Sequence, residues 1–207
     1  MLAARDALER LREGNRRFAA SLSVSGETPS HVRRAELVAG QEPFAIILGC
    51  SDSRVPSEIV FDQGLGDLFV IRVAGNIVAP SQIGSVEFAA ARFGTRLVVV
   101  LGHSSCGAVT ATLEELRGTP QAESRNLRSI VERVRPAVQP LFDAPASQQE
   151  PDDLLQRAVR ANIRASAVQL RHGSRLLEEL IERDGLLVVG AEYSLETGVV
   201  EFLEGAS

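Results

Sequence analysis

Three short apolar runs constrain this chain more than any other feature: FAIILG at 44–49, LFVIRV at 68–73 and LVVVL at 97–101. Each has the length of a strand, and none alternates apolar with polar residues. A strand that reads as a continuous apolar run must be covered on both faces, as a parallel strand is between two layers of helices. The intervening segments supply those layers. Residues 81–92 have helical character and stop at Gly94, and 107–117, 127–138, 152–172 and 174–183 also read as helices. An amphipathic helix over residues 2–20, with Ala4, Leu8, Leu11 and Phe18 near one face, precedes the first run. Ser30 is placed to cap a further short helix reaching about Val38. Near the end, 186–195 and 199–203 flank Glu-Thr-Gly and read as a hairpin. The expected fold is a single α/β domain over 1–207. About four parallel strands and one antiparallel edge strand are flanked by helices, with residues 1–40 as a helical arm that packs on a partner subunit. The tract DAPASQQEP is the one place for a domain boundary, and it is too short to make one.

At 207 residues the chain has room for one sizeable core, and 44% hydrophobic content rules out a disordered chain. A formal net charge of −5 argues against nucleic acid or an anionic membrane as partner. No apolar run approaches the roughly 20 residues that span a bilayer. The first residues, MLAARDALERLREGNRRF, are charged throughout, unlike a secretory signal. Two cysteines make no disulfide scaffold, so a reducing, cytoplasmic setting is expected, where cysteines near a histidine more often bind metal or do chemistry.

Both cysteines stand just beyond an apolar run. Cys50 opens CSDSRVP, and Cys106 lies in GHSSCGAV. In open α/β sheets, ligands bind outside the carboxyl ends of the strands, where the strand order reverses. If the first and third runs are neighbours, Cys50, Asp52, His103 and Cys106 converge. H-x-x-C can place both side chains on one ion, and C-x-D can do so across a tight turn. Thiolate, imidazole and carboxylate together suit zinc. Taken singly, a buried cysteine is more often a small core residue, and a histidine more often a satisfied hydrogen-bonding group. The coincidence of both cysteines at strand ends, one beside Asp and one beside His, favours the metal. His31 and His172 lie in polar helical segments and read as solvated. The Arg-rich stretches 9–17 and 125–135 read as solvated helix faces.

With these residues in view, the sequence resembles the β-class carbonic anhydrases. CSDSRVPSEIVFDQGLGDLFVIRVAGNIV and LGHSSCGAV carry the resemblance, supported by GNRRFAA, GQEP, GSVEFA and VVGAEYSLETGVVEFL across nearly the whole chain. The resemblance implies one zinc ion (Zn2+) per chain and reversible hydration of carbon dioxide to bicarbonate and a proton by a zinc-bound hydroxide. It implies a homodimer or homotetramer with sites at subunit interfaces. The implied ligands are Cys50, His103 and Cys106, with Asp52 either a fourth ligand or the partner of Arg54. Four protein ligands would close the site, whereas catalysis needs an open fourth position. Asp52 therefore has to leave the metal, and Arg54, two residues on, offers a bidentate fork to receive it. The implied substrate wall consists of Gln41, reaching a neighbouring subunit's site, with Phe69, Phe88 and the backbone at Gly107. Phe88 stands where many members have tyrosine. Members that close their site with bicarbonate carry a tryptophan just before the first cysteine, and this chain has Ile47 there and no tryptophan. Two alternatives remain open: the same chemistry on CS2 or COS, and a non-catalytic zinc-stabilised module. A redox pair is disfavoured, because no C-x-x-C is present.

Overall fold

The computed structural model describes residues 2–23, 31–119, 124–143 and 151–203, with the backbone alone for 151–153. The apolar runs form β1 (Ala45–Gly49), β2 (Leu68–Arg72) and β3 (Leu97–His103), joined by β4 (Leu187–Tyr193) and β5 (Val200–Phe202). The sheet order is β2-β1-β3-β4-β5, and only the β4–β5 pair is antiparallel. This is the expected α/β architecture of four parallel strands and one antiparallel edge strand.

Every residue of β1 and of β3 is buried, as uninterrupted apolar runs require. Successive side chains serve opposite layers. Ile46, Leu48, Val98 and Val100 face one core, filled by Val86, Val109, Val134, Ile163 and Leu177 from α4 (Pro80–Arg92), α5 (Gly107–Leu116), α6 (Arg125–Phe142), α7 (Pro151–His172) and α8 (Arg175–Asp184). Ala45, Ile47, Leu97 and Val99 face the other, covered by α1 (Ala4–Ala19) and α3 (Ser57–Val60).

The expected helices are found within a few residues of their sequence limits. The four-residue α3 and the single 3-10 turn Ala74–Asn76 were not foreseen. Ser174 caps α8 by accepting from the Leu177 N–H at 3.3 Å. The proposed cap Ser30 lies outside the described residues, as does nearly all of DAPASQQEP.

The amino-terminal arm divides in two. The apolar face of α1 is taken up by its own sheet, with Ala7 and Leu11 fully buried. Asn15 locks it there, donating to the carbonyls of Val60 and Gly198 at 3.1 and 2.9 Å and accepting from the Val200 N–H at 2.7 Å. By contrast, α2 (His31–Leu37) buries no residue. The Arg-rich face of α1 is also less solvated than its sequence implied: Arg17 pairs with the buried carboxylate of Asp62 at 2.6 Å.

Candidate metal centre

Strand β1 is followed by β2 on one side and by β3 on the other, so the strand order reverses between β1 and β3. Their carboxyl ends therefore frame the crevice where α/β sheets bind ligands. Cys50 follows the last residue of β1, and His103 is the last residue of β3, which runs two residues past the apolar stretch. Cys106 immediately precedes α5. The sulfurs of Cys50 and Cys106 and a ring nitrogen of His103 all lie within 4.8 Å of one another, and all three residues are buried. Two free cysteines and one histidine thus converge from segments more than 50 positions apart.

The histidine is already oriented as a ligand. His103 Nδ1 lies 2.9 Å from the Ser104 carbonyl oxygen. A carbonyl only accepts, so Nδ1 carries the proton and Nε2 is left with its lone pair. Nε2 is buried and has no hydrogen-bond partner. A buried, unpaired acceptor is costly, and a cation between Nε2 and the two sulfurs satisfies it. The sulfurs are set up as well. The Gly75 N–H donates to Cys50 Sγ at 3.4 Å. Contact with Cys106 first, then with His103 and nearby amides, outweighs burial and pulls the Cys50 thiol far below its ordinary range. Cys106 is pushed up by Cys50 and by burial, against the amides of Val109 and Ala108 in the first turn of α5. In this buried pair one sulfur releases its proton readily, and a cation is what allows both to do so. Two thiolates and one imidazole make a donor set suited to zinc.

Asp52 stands beside this cluster and not in it. Arg54 donates from Nε to Oδ1 at 2.9 Å and from Nη2 to Oδ2 at 2.7 Å, and its own backbone N–H reaches Oδ1 at 3.0 Å. This bidentate grip holds the Asp52 carboxyl well below the usual carboxylate range. Oδ2 remains 3.9 Å from His103 Nε2. The donor set is therefore three side chains, with the Asp52 carboxylate fixed beside it as an acceptor.

Arg72, at the end of β2, was missed in the sequence. Its Nε donates to the Cys50 carbonyl at 3.0 Å and its Nη2 to the Asp52 carbonyl at 2.5 Å. A lone arginine closing an otherwise apolar run was the available signal. Gly107 follows Cys106 directly and opens α5. It shares with Ala74, Ala108, Leu127 and Ile130 an apolar recess of about 240 Å³.

The remaining wall residues are elsewhere. Gln41 precedes the amino end of β1 and is exposed. Phe69 pairs in register with Ile46, four residues before Cys50, which is roughly 13 Å along the strand. Phe88 is 54% exposed and joins Phe69 and Phe93 in an aromatic cluster, with ring centroids 5.6 to 6.2 Å apart. None of the three reaches the cluster of its own chain. His172 is exposed, with Nδ1 3.7 Å from Glu178, and His31 is exposed.

Residues 45–200 match a family model described as carbonic anhydrase. The chain is 41% identical over 189 residues to carbonic anhydrase 2 of Mycobacterium tuberculosis, covering 91% of this chain and 87% of that one. Among solved structures, it is similar to a β-carbonic anhydrase of Aspergillus fumigatus, with a TM-score of 0.75, 26% identity, and 98% and 93% of the two chains covered. A second is one of two tetrameric β-carbonic anhydrases of Sordaria macrospora, with a TM-score of 0.72, 26% identity, and 84% and 87% covered.

Proposed function

The chain belongs to the β-carbonic anhydrase family, and from that premise we infer how its own residues carry out the reversible hydration of carbon dioxide. The observation that carries the reading is the buried triad Cys50, His103 and Cys106, with its unpartnered Nε2. These three side chains hold zinc. When bound, zinc supplies Lewis acidity, which lowers the pKa of water to about 7 and makes a nucleophile available near neutral pH.

Asp52 orients that nucleophile. Its carboxylate is an acceptor-only group fixed by Arg54 beside the triad, so it would accept a hydrogen bond from the attacking oxygen and turn a lone pair of that oxygen toward the substrate. Arg54 keeps Asp52 out of the donor set, and a carboxylate released from that grip would be free to serve as a fourth donor. The apolar recess beside Gly107 suits a small uncharged molecule, and the Gly107 backbone lies at its edge.

The active unit is a homo-oligomer, a dimer or a tetramer; since α1 is committed to its own sheet, the part of the amino-terminal arm left to pack on the partner is α2, which buries no residue in its own chain. The solved Sordaria macrospora relatives are tetrameric. The exposed Phe88 cluster flanks β2, an edge strand only partly buried. Gln41, Phe69 and Phe88 act across that interface, on the cluster of a neighbouring subunit. Among the described residues no helix is long and apolar enough to cross a membrane. Two free cysteines serving a metal fit the reducing cytoplasm.

Zinc content per chain together with stopped-flow carbon dioxide hydration tests this reading. We expect one zinc per chain, with activity tracking zinc occupancy. A zinc-loaded protein that fails to hydrate carbon dioxide would make the centre a structural site only.

A further inference from the structure

The turn Ala74–Asn76 touches the neighbourhood of every ligand. The Gly75 N–H donates to Cys50 Sγ at 3.4 Å. A Cβ on Gly75 would stand 2.9 Å from Ala108 Cβ, two residues beyond Cys106. A Cβ on Gly102, next to His103, would stand 3.4 Å from Asn76 Oδ1. The turn also uses left-handed backbone. Gly75 adopts its φ of 71° freely, but Asn76, at 43°, carries a side chain in a sparsely populated region and persists there because its surroundings hold it.

What holds it is a pair of buried polar residues on α7. Asn162 Nδ2 donates to the Gly75 carbonyl at 2.8 Å, and Ser166 Oγ donates to the Asn76 carbonyl at 3.1 Å. The two are one helical turn apart and are 2% and 5% exposed, on a face otherwise lined by Ala158, Val159, Ile163, Ala167 and Leu170. Polar groups are costly in such a place unless they are bonded, and each of these spends its donor on this turn.

We propose that Asn162 and Ser166 are positioning residues for the metal centre: by fixing two successive carbonyls of the 74–76 turn, they aim the Gly75 N–H at the Cys50 sulfur and set how tightly the triad holds zinc. This rests on the reading of Cys50, His103 and Cys106 as zinc ligands. Pinning the Gly75 carbonyl fixes the peptide plane that follows Gly75, and pinning the Asn76 carbonyl keeps Asn76 from relaxing out of its left-handed conformation. With the turn fixed, the amide that faces the sulfur cannot rotate away. Outer hydrogen bonds of this kind change metal affinity by about 10- to 100-fold in other metal sites.

The test measures zinc affinity of the intact protein by chelator competition, alongside melting temperature and the thiolate-to-metal charge-transfer band of cobalt-loaded protein. Asn162→Leu should weaken zinc binding about tenfold or more and shift the cobalt band, because Cys50 loses a fixed donor. Ser166→Ala should do the same to a smaller extent, and Ser166→Thr, which keeps the hydroxyl, should restore the parent values. Leu170→Val, on the same helix and away from the turn, should lower the melting temperature and leave zinc affinity and the band unchanged. If Asn162→Leu fails to fold, the Ser166 pair decides alone. Variants that melt earlier but keep parental zinc affinity and an unshifted band would reduce Asn162 and Ser166 to core hydrogen bonds and overturn the proposal. Parental zinc occupancy without carbon dioxide hydration would instead count against the proposed function and leave this inference standing.

Discussion

The two ends of the sheet are built on opposite plans. At the carboxyl end, Cys50 and His103 from two adjacent strand ends meet Cys106 from the start of α5 in one buried cluster, supported by Arg72, the Gly75 N–H and the Ser104 carbonyl. At the amino end, Gln41 is exposed, and the Phe69–Phe88–Phe93 cluster rims the core, with Phe69 and Phe93 packed against it and Phe88 turned to the surface. The first end gathers its donors within one chain; on the proposed reading, the second would find its purpose against another copy. Metal binding would then be a property of the chain, and the substrate wall a property of the assembly.

The largest effect should come from damaging the complete end. Cys50→Ser, His103→Ala or Cys106→Ser each removes an obligatory donor, so zinc and hydration should be lost together. The fall should be on the order of a thousandfold or more, since the metal's effect on water is lost with it. Elemental analysis and stopped-flow assays check both. A Cys106→Ser protein with full zinc would break the comparison at its stronger side.

Next comes Arg54→Ala, which should retain zinc and lose about a hundredfold in hydration, as when a preorganised charged contact is removed. Asp52→Ala should also keep zinc and lose activity, but without a carboxylate to close the site, so only the Arg54 variant should show Asp52 on the metal in a crystal structure. The same pair predicts a pH signature. The folded-state pKa of Asp52 is depressed, so its contribution to stability is fully present above the unfolded value, near 3.9, and fades as pH falls below it. The melting-temperature difference between parent and Arg54→Ala should be constant from about pH 5 to 7 and shrink below about pH 4. It should be small throughout, because Arg54 is 54% exposed. A difference that grows in acid would be incompatible with the Asp52–Arg54 pair.

Smaller effects belong to the open end. Phe88→Glu places a charge in the aromatic cluster and should favour monomers by sedimentation, with zinc still bound and hydration reduced. Gln41→Ala should leave both zinc and assembly intact and cost about tenfold or less in hydration, the loss of one hydrogen-bonding contact. Mixing Gln41→Ala with Cys106→Ser protein sharpens the point. A hybrid dimer holds one site with intact ligands facing an intact Gln41, so activity should exceed the average of the two. An active Phe88→Glu monomer would remove the role of the partner.

The same contrast sets how much was legible in the sequence. Strands β1 and β3 were readable because burial on both faces leaves no polar positions, and the ligands were readable because each stands at the end of such a run. Their convergence was conditional on strand order, which no local pattern encodes. The pairing of Ile46 with Val98 resolves it. Asn15, Asn162 and Ser166 were not legible. On a helix they look like ordinary polar positions, and only carbonyls 45 to 183 residues distant make them buried anchors. Arg17 was misread as solvated for the same reason, since its partner Asp62 is remote in sequence. The wall residues were read from family resemblance alone; Gly107 lies directly after Cys106, whereas Gln41, Phe69 and Phe88 lie away from the cluster of their own chain.

The most direct test of the account is X-ray absorption at the zinc edge of the purified protein, with zinc counted per chain. The account predicts one zinc in a shell of two sulfurs near 2.3 Å and one imidazole nitrogen at about 2.0–2.1 Å, with a light-atom ligand completing four. A protein that binds no zinc, or a shell without two sulfurs and a histidine, would contradict it.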